Sequence, residues 1–317
     1  MRITVLGCGR WGSFLAWYAQ RIGHDTCLWG RPGSLHLARL QQEGRNEYLA
    51  LDAGLTLTDD LSLALDHGEL ILVSVSAQGL RSLLGSISLP QGKPFILCMK
   101  GLEIGSGLRL SQVFHQALPQ CPVGVWVGPG HVQSFVLNIP NCMVIDSEDT
   151  RLQKLVIEAL GSDLIRFYYG NDLIGNEIGA AAKNIAGIAA GMLDGFGMTA
   201  LKGALMARAP REIFRLIEAQ GGNGHSAYGL AHLGDYEATL FSAHSHNRQF
   251  GEDFVKGVVF DKLAEGMPTL EAVYALGQEL GLDLPICNAL YAILFQRADA
   301  YKQLSALFGR SLKGEFA

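Results

Sequence analysis

The N-terminal end of the chain carries the pattern that most restricts its fold. The apolar run Arg2–Leu6 has the composition of a buried strand, and Gly7–Gly12 follows it with the sequence GCGRWG, a G-x-G-x-x-G that opens a helical stretch. In such a turn Gly7 permits the tight bend, Gly9 lets backbone amides approach a pyrophosphate, and Gly12 allows close packing of helix on strand. Glycines could also serve only the steric needs of the turn. The context favours a βαβ unit that binds a dinucleotide at the N-terminus of its first helix.

The first half of the chain alternates short apolar runs with helical stretches. Most of the runs are continuously apolar, as expected for strands buried on both faces of a parallel sheet. The predicted strands are Arg2–Leu6, Thr26–Trp29, Leu70–Val75, Phe95–Met99, Val123–Val127, Met143–Ile145 and Leu164–Tyr168, and the predicted helices are Trp11–Ile22, Gln78–Leu84 and Arg151–Leu160. This rhythm predicts a doubly wound, mostly parallel sheet of the Rossmann type.

The second half of the chain has a different character. From Asn171 onward strand patterns disappear and helix formers dominate, with Ala and Gly plentiful between Gly179 and Gly197. We place the boundary near Gly170. The sequence therefore predicts an α/β N-terminal Rossmann domain over residues 1–170, followed by an all-α C-terminal substrate and catalytic domain over residues 171–317.

Composition and charge narrow the class of protein. Of the 317 residues 49% are hydrophobic and 17% are charged, which is typical of a compact globular protein. Lys and Arg total 25 against 30 Asp and Glu, a formal net charge of −5, so no nucleic-acid partner is expected. This balance still permits a small anionic substrate, since a few local cations suffice for one phosphate.

The sequence also favours a cytoplasmic location. None of the six cysteines forms a C-x-x-C pair, and we interpret them as reduced core residues. A strand pattern starts at once, which leaves no room for a signal peptide. The most apolar long stretch, Ile178–Met192, contains Lys183 and Asn184 and is short and glycine-rich, so no membrane span is predicted.

The end of the second predicted strand bears on the choice of cofactor. A site for NAD usually offers Asp or Glu there to hold the ribose hydroxyls, whereas this chain continues from Trp29 to Gly30 and Arg31. An arginine can pair with a 2′-phosphate, so the sequence favours NADP slightly over NAD. The alternative is that Arg31 is a solvated loop residue.

Two lysines are candidate catalytic groups. Lys100 follows the strand Phe95–Met99, at the sheet edge where ligands of open α/β folds gather; it could also be a strand-end lysine in solvent. Lys183 lies in a helix with almost no other polar group, and burial there would lower its pKa and prepare it for proton transfer. Its alternative is a lysine that snorkels to the helix edge.

A polar segment, Ala231–Gly251, raises the question of a metal site. It contains His232, His244, His246 and Asp235. The histidines do not show the i, i+4 spacing of helical ligands, and no cysteines accompany them. We interpret the segment as a hydrogen-bonding substrate loop and predict no metal.

Several stretches in the same order resemble the bacterial-type NAD(P)-dependent glycerol-3-phosphate dehydrogenases, nearly from end to end. They are Gly7–Gly12, Asn46–Leu49, Val73–Gln78, Lys100–Glu103, Gly128-Pro129, Ala182–Asn184, Ala190–Gly195, Leu233–Asp235, Asn247–Gly251 and Glu265-Gly266. The resemblance implies a Rossmann domain and a helical domain. It also implies reversible reduction of dihydroxyacetone phosphate to glycerol 3-phosphate, a precursor of glycerophospholipids.

The same resemblance assigns roles to residues. Lys183 would transfer the proton, Lys100 would polarise the carbonyl and hold the substrate, and Asp235 would orient Lys183. The implied substrate contacts are Lys100, Gly128, Gly130, Lys183, Asp235, Ser245, His246 and Asn247. The implied cofactor contacts are Gly7, Gly9, Arg10, Trp11, Gly12, Arg31, Lys100, Val132, His246 and Glu265.

Two positions depart from the family pattern. Gly130 stands where the family usually has Ser or Thr, and His246 stands where it carries an arginine that contacts phosphate. Replacing a bidentate, permanently charged guanidinium by imidazole makes the charge pH-dependent. We expect weaker phosphate binding, improving below neutral pH, unless Arg248 compensates from two residues away.

Two other functions stay open on the sequence. One is a related dehydrogenase that acts on another small keto or hydroxy substrate, which the altered phosphate loop would permit. The other is a non-catalytic sensor of the dinucleotide, against which the presence of Lys100, Lys183 and Asp235 counts. A homodimer is the usual expectation for enzymes of this kind.

Overall fold

The computed structural model describes residues 1–88 and 92–309. It contains an eight-stranded sheet in the first half of the chain and a group of helices in the second half. The strands are β1 Arg2–Leu6, β2 Asp25–Trp29, β3 Thr56–Thr58, β4 Leu70–Val73, β5 Phe95–Leu97, β6 Val123–Val127, β7 Asn141–Asp146 and β8 Ile165–Tyr169.

Thirteen α-helices are formed within these described ranges. They are α1 Arg10–Arg21, α2 Leu35–Glu43, α3 Leu61–His67, α4 Leu80–Gly85, α5 Leu110–Ala117, α6 Val132–Val136, α7 Thr150–Leu160, α8 Leu173–Gly195, α9 Lys202–Ala219, α10 His246–Lys256, α11 Gly266–Glu279, α12 Pro285–Gln296 and α13 Ala300–Phe308.

The sheet has the order β3-β2-β1-β4-β5-β6-β7-β8. All neighbours are parallel except β6 and β7. Helices α1, α6 and α7 cover one face and α3, α4 and α5 cover the other, so the central strands are buried on both sides. This burial explains the unbroken apolar runs. The predicted fold class, a doubly wound and mostly parallel Rossmann sheet followed by helices, is confirmed.

The carboxyl edge of the sheet faces the candidate site. The predicted strands Leu70–Val75 and Phe95–Met99 each end two residues early, at Val73 and Leu97. The residues after them leave the ladder and form the loops of the cleft. The edge strand β3 was not predicted, because three residues are too few to show a pattern.

The helical half is organised around α8, whose buried residues include most of Leu173–Leu193. Helix α10 packs on it through glycines: a Cβ on Gly191 would lie 1.9 Å from the backbone oxygen of Arg248, and one on Gly251 would lie 2.1 Å from that of Ile188. The two backbones are therefore in direct contact, which no larger residue at either glycine would allow.

A buried carboxylate joins two of the outer helices. Glu212 of α9 accepts hydrogen bonds from the backbone N–H groups of Ile286 (2.7 Å) and Cys287 (3.3 Å), in the first turn of α12. An anion is stabilised at a helix N-terminus. Burial nevertheless raises the pKa of Glu212 to about 7.

The predicted domain boundary lies in a connecting segment. Gly170 stands between the end of β8 at Tyr169 and the start of α8 at Leu173. The division into residues 1–170 and 171–317 stays a prediction, and its last eight residues, 310–317, lie outside the described residues. Within those described, no helix has both the length and the apolar character that crossing a bilayer requires.

Candidate functional site

The turn between β1 and α1 forms a cradle of backbone amides. Gly7 has φ +114°, and a Cβ there would lie 2.2 Å from the oxygen of Ser74; a Cβ on Gly12 would lie 1.8 Å from the oxygen of Gly7. Around Gly9, in contrast, nothing lies within 4 Å of an added Cβ. No side chain caps the N-terminus of α1. Free N–H groups above an open glycine fit a dinucleotide pyrophosphate.

Other residues predicted to contact the cofactor differ in how far they are exposed to solvent. Arg31 is exposed just beyond β2, and Val132 is buried in the first turn of α6. The carboxylate of Glu265 accepts a hydrogen bond from the N–H of Ala77, and burial raises the pKa of that carboxyl. Arg10 donates to the backbone oxygen of His244 (3.3 Å) across the cleft.

A cluster of two ammonium groups on one carboxylate occupies the carboxyl edge of the sheet. Oδ2 of Asp235 lies 2.6 Å from Nζ of Lys100 and 2.8 Å from Nζ of Lys183. Asp235 is 1% exposed and Lys183 is 8% exposed, so the lysine does not snorkel to solvent. Lys100 comes from the loop after β5 and Lys183 from the middle of α8, so this carboxylate ties the sheet to the helical half.

The hydrogen bonds of the cluster leave room for a ligand. Nζ of Lys183 also donates to Oγ1 of Thr239 (2.7 Å), whose hydroxyl donates to the backbone oxygen of Asp235 (2.7 Å). Nζ of Lys100 also donates to the backbone oxygen of Gly128 (2.9 Å). Among the described residues, each ammonium thus has partners for two of its three N–H donors, and one donor remains for a substrate oxygen.

Burial has a large effect on Lys183. It lowers the pKa of this lysine to about 7, with the charge of Lys100 acting in the same direction and the charge of Asp235 opposing it. A buried amine that titrates near neutrality can both give and take a proton at physiological pH. Thr239, which holds this amine, was not predicted from the sequence; its only signal is its position four residues after Asp235.

A polar cavity of about 390 Å³ lies at the start of α10 and is also lined by Arg10 of α1. Ser245 and His246 line it together with Arg10, Tyr48, Gln133 and Lys262. Ser245 is the N-cap of α10 and accepts from the N–H of Arg248 (3.3 Å), while Oδ1 of Asn247 accepts from the N–H of Gly266 (2.8 Å). Lys262 was not predicted. With Arg10 it supplies positive charge beside His246, while Glu47, Asp253 and Asp261 in the same lining carry negative charge. Burial and Arg10 lower the pKa of the His246 imidazole.

The hypothesis that Arg248 replaces the missing arginine is wrong in this structure. Its NH1 lies 2.9 Å from Asp194 and 2.8 Å from Glu252, and its Nε donates to the backbone oxygen of Ser242 (3.2 Å). Positions two apart on a helix point in nearly opposite directions, so Arg248 cannot share the face of His246. The ion pairs hold it inside the helical half.

The segment rich in histidine provides hydrogen bonds rather than a cluster of ligands. Nδ1 of His232 pairs with the backbone oxygen of Gly179 (2.8 Å), and Nε2 pairs with the hydroxyl of Tyr236 (2.8 Å). Over residues 1–88 and 92–309, no three His, Cys, Asp or Glu side chains are arranged to hold a metal ion.

Two features of the Gly128–His131 loop were not predicted from the sequence. A Cβ on Gly130 would lie 2.9 Å from the ring of Trp11 and 3.0 Å from the side chain of Met143, so the two neighbours occupy the space of a larger residue. Nothing in the sequence singled out His131, whose buried Nε2 has no hydrogen-bond partner among the described residues. Its charged neighbours are Lys183, Asp235, Arg10 and Lys100.

Comparison with known proteins extends over both halves. Residues 2–153 match the N-terminal domain and residues 172–305 the C-terminal domain of the NAD-dependent glycerol-3-phosphate dehydrogenases. The chain is similar to proteins named glycerol-3-phosphate dehydrogenase [NAD(P)+] from Pelodictyon phaeoclathratiforme (35% identity, covering 99% of both chains) and Acidithiobacillus ferrooxidans (37%, covering 99% of this chain and 95% of the relative).

The solved structures agree with the sequence similarity. The crystal structure of glycerol-3-phosphate dehydrogenase from Coxiella burnetii superposes with a TM-score of 0.91 at 29% identity, covering 97% of this chain and 98% of that one. Both domains, the full length and the fold therefore match, and the resemblance stated from the sequence is confirmed. The chain belongs to the NAD-dependent glycerol-3-phosphate dehydrogenase family.

Proposed function

We propose that the protein is an NAD(P)-dependent sn-glycerol-3-phosphate dehydrogenase, an oxidoreductase acting on a CH–OH group, which reversibly reduces dihydroxyacetone phosphate to glycerol 3-phosphate. The observation that carries the proposal is the cluster of Lys100, Lys183 and Asp235 at the mouth of the cleft, in a chain whose full-length relatives bear that enzyme name. The product would supply glycerophospholipid synthesis.

Each side chain of the cluster has its own role in the proposed reaction. When bound on the cradle, the nicotinamide cofactor supplies or accepts the hydride at the central carbon of the substrate. Lys183 gives its proton to the oxygen that becomes the hydroxyl, and takes it back in the reverse direction. Lys100 donates a hydrogen bond to the same oxygen, which stabilises negative charge as it develops there. Asp235 holds both ammonium groups in place.

The electrostatics suit a reversible reaction. The pKa of Lys183, lowered to about 7 by burial, gives comparable amounts of ammonium and amine near neutral pH. Asp235 limits that lowering, because its negative charge stabilises the protonated lysine. An uncompensated pair of buried cations would leave Lys183 deprotonated and unable to act as the acid.

The phosphate is assigned to the cavity at the start of α10. Ser245, His246 and Asn247 come from the first turn of that helix, whose N-terminus favours an anion, and Arg10 adds a guanidinium from the Rossmann side. Gly128 and Gly130 shape the neighbouring loop. With His246 in place of the family arginine, phosphate binding is weaker than is usual in the family.

The remaining assignments are those that the family resemblance implies. The cofactor contacts are Gly7, Gly9, Arg10, Trp11, Gly12, Arg31, Lys100, Val132, His246 and Glu265. Either NAD or NADP fits the cradle, and Arg31 favours NADP because it can pair with a 2′-phosphate. The cytoplasm suits six cysteines that are all free thiols. The homodimer stays a prediction, tested by light scattering on the purified protein.

The test is oxidation of NADPH and NADH, followed at 340 nm with dihydroxyacetone phosphate. Lys183→Met is expected to lower kcat at least 100-fold. A matched control is Lys202→Met, since Lys202 is also a buried lysine paired with an aspartate, Asp194, but lies outside the cleft. It is expected to lower the melting temperature and leave kcat within about threefold. Absence of wild-type turnover with either cofactor would reject the proposal.

A further inference from the structure

His131 is a partly buried residue that has no role in the proton transfer and phosphate binding described above, and its Nε2 is buried. It is the N-cap of α6, yet its side chain makes no capping hydrogen bond. Within residues 1–88 and 92–309, this Nε2 has no hydrogen-bond partner. Buried polar atoms are nearly always hydrogen-bonded, so an orphan beside a reaction site calls for a partner that the protein itself does not supply.

The charges around the ring and its position in the chain put it near the lysine cluster. The charges that act on it belong to Lys183, Asp235, Arg10 and Lys100. It follows Gly128, whose backbone oxygen accepts from Lys100, by three residues. The loop that carries the ring is therefore tied to the lysine cluster through the hydrogen bond of Lys100.

The ring is neutral at working pH. Burial and the positive charge of Lys183 lower the pKa of His131 to about 4. A neutral imidazole has one N–H donor and one acceptor nitrogen, and it pairs with a hydroxyl group in either orientation. It is poorly suited to a phosphate, which wants permanent positive charge.

The proposed substrate has three polar parts, and two already have partners. The phosphate is assigned to the first turn of α10, and the central oxygen to Lys183 and Lys100. The terminal hydroxyl on the carbon beyond the carbonyl has none. We propose, resting on the function proposed above, that Nε2 of His131 hydrogen-bonds this terminal hydroxyl and makes the enzyme select three-carbon phosphates that carry it.

Such a contact would act on specificity. A site that buries a hydrogen-bonding group for a substrate hydroxyl disfavours the analogue without it, because the group is then left unpaired. The wild-type enzyme is expected to prefer dihydroxyacetone phosphate over its 1-deoxy analogue, hydroxyacetone phosphate, by at least about tenfold in kcat/KM.

The experiment compares wild type, His131→Phe and His131→Gln on both ketones. Phe keeps a ring of similar size without nitrogen, and Gln restores an amide nitrogen near the position of Nε2. His131→Phe is expected to lose about ten- to hundredfold in kcat/KM on dihydroxyacetone phosphate and less than about threefold on the deoxy analogue. His131→Gln is expected to recover part of the preference. Melting temperature and cofactor affinity by fluorescence serve as controls.

Each outcome decides the matter. Equal losses on both ketones would mean a general structural role, and no loss on either would mean no contact; both overturn the proposal. A wild-type enzyme that uses the two ketones equally well overturns it without any variant, even if His131→Phe does not fold. If wild type reduces neither ketone, the proposed function fails first and this inference falls with it.

Discussion

Asp235 offers the sharpest test of the reasoning about the lysine cluster. Asp235→Asn keeps the shape of the side chain and removes the negative charge that Nζ of Lys183 meets at 2.8 Å and Nζ of Lys100 at 2.6 Å. The two ammonium groups then face each other without a counter-ion in a buried site. The amine form of Lys183 becomes favoured, and its pKa falls below the wild-type value of about 7.

The size of the shift follows from the bond that is lost. A hydrogen bond to a charged group contributes about 1.5–3 kcal/mol, which corresponds to a pKa change of about 1–2 units. The pKa of Lys183 in Asp235→Asn is therefore expected at about 5–6. At pH 7.5 the ammonium fraction falls roughly eight- to eightyfold, and ketone reduction falls by the same factor if the low-pH plateau is unchanged.

The assay is the pH dependence of kcat/KM for dihydroxyacetone phosphate and for glycerol 3-phosphate, at saturating cofactor. Wild-type reduction is expected to decline above a pH of about 7, and oxidation to decline below it, because one group serves both directions. In Asp235→Asn both limbs move together toward acid by about 1–2 units.

A matched control separates charge at the site from general damage. Asp194→Asn also removes a carboxylate that bridges two cations, Lys202 at 2.5 Å and Arg248 at 2.9 Å, but away from the cleft. It should lower the melting temperature and leave both limbs in place. If the limbs of Asp235→Asn coincide with those of wild type, Lys183 is not the titrating acid or Asp235 does not hold its proton, and the mechanism is refuted.

Three further substitutions test other parts of the molecule. Arg31→Ala should raise the KM for NADPH about tenfold and leave that for NADH within about twofold; equal changes would argue against a 2′-phosphate contact. His246→Arg should lower the KM for dihydroxyacetone phosphate about ten- to hundredfold at pH 7.5. The wild-type KM should fall only below pH 6.5, because burial and Arg10 lower the pKa of His246. An unchanged KM in the variant would mean that this residue does not contact the phosphate. In the folded protein Glu212 has a pKa of about 7, against 4.5 for the free side chain. The free energy of unfolding of the wild type should therefore decrease by about 3 kcal/mol as pH rises from 4.5 through 7. Urea unfolding at pH 5 and pH 8 should show no such decrease for Glu212→Gln.

The Rossmann half was largely predictable for physical reasons. Its central strands are buried on both faces, which leaves unbroken apolar runs in the sequence, and the backbone approach at Gly7 and Gly12 admits only glycine. The antiparallel pairing of β6 and β7 was not predictable, because strand direction depends on the path of the chain through the short α6 and not on composition.

Apart from the family resemblance, the candidate site was predictable only where one residue carried the signal by itself. Lys183 stands out as an isolated charge in an apolar helix, and Lys100 as a cation at a strand end. The polar neighbours that complete the site, Thr239 and His131, lie on other elements, and their proximity arises only from the packing of those elements. The hypothesis that Arg248 contacts the phosphate failed because closeness along the chain does not mean closeness in space. Arg248 is two residues from His246 but lies on the other side of α10.

The glycine contact between α8 and α10 has a consequence for how this enzyme can change over time. Lys183 lies on one of these helices and Ser245 at the head of the other, and the backbones meet at Gly191 and Gly251 with no layer of side chains between them. Mutations that enlarge or shrink the surrounding apolar residues can accumulate without altering that contact. The separation between the proton donor and the anion site is thus insulated from drift in the core, and changes of substrate are expected at side chains that face the cavity, such as His246.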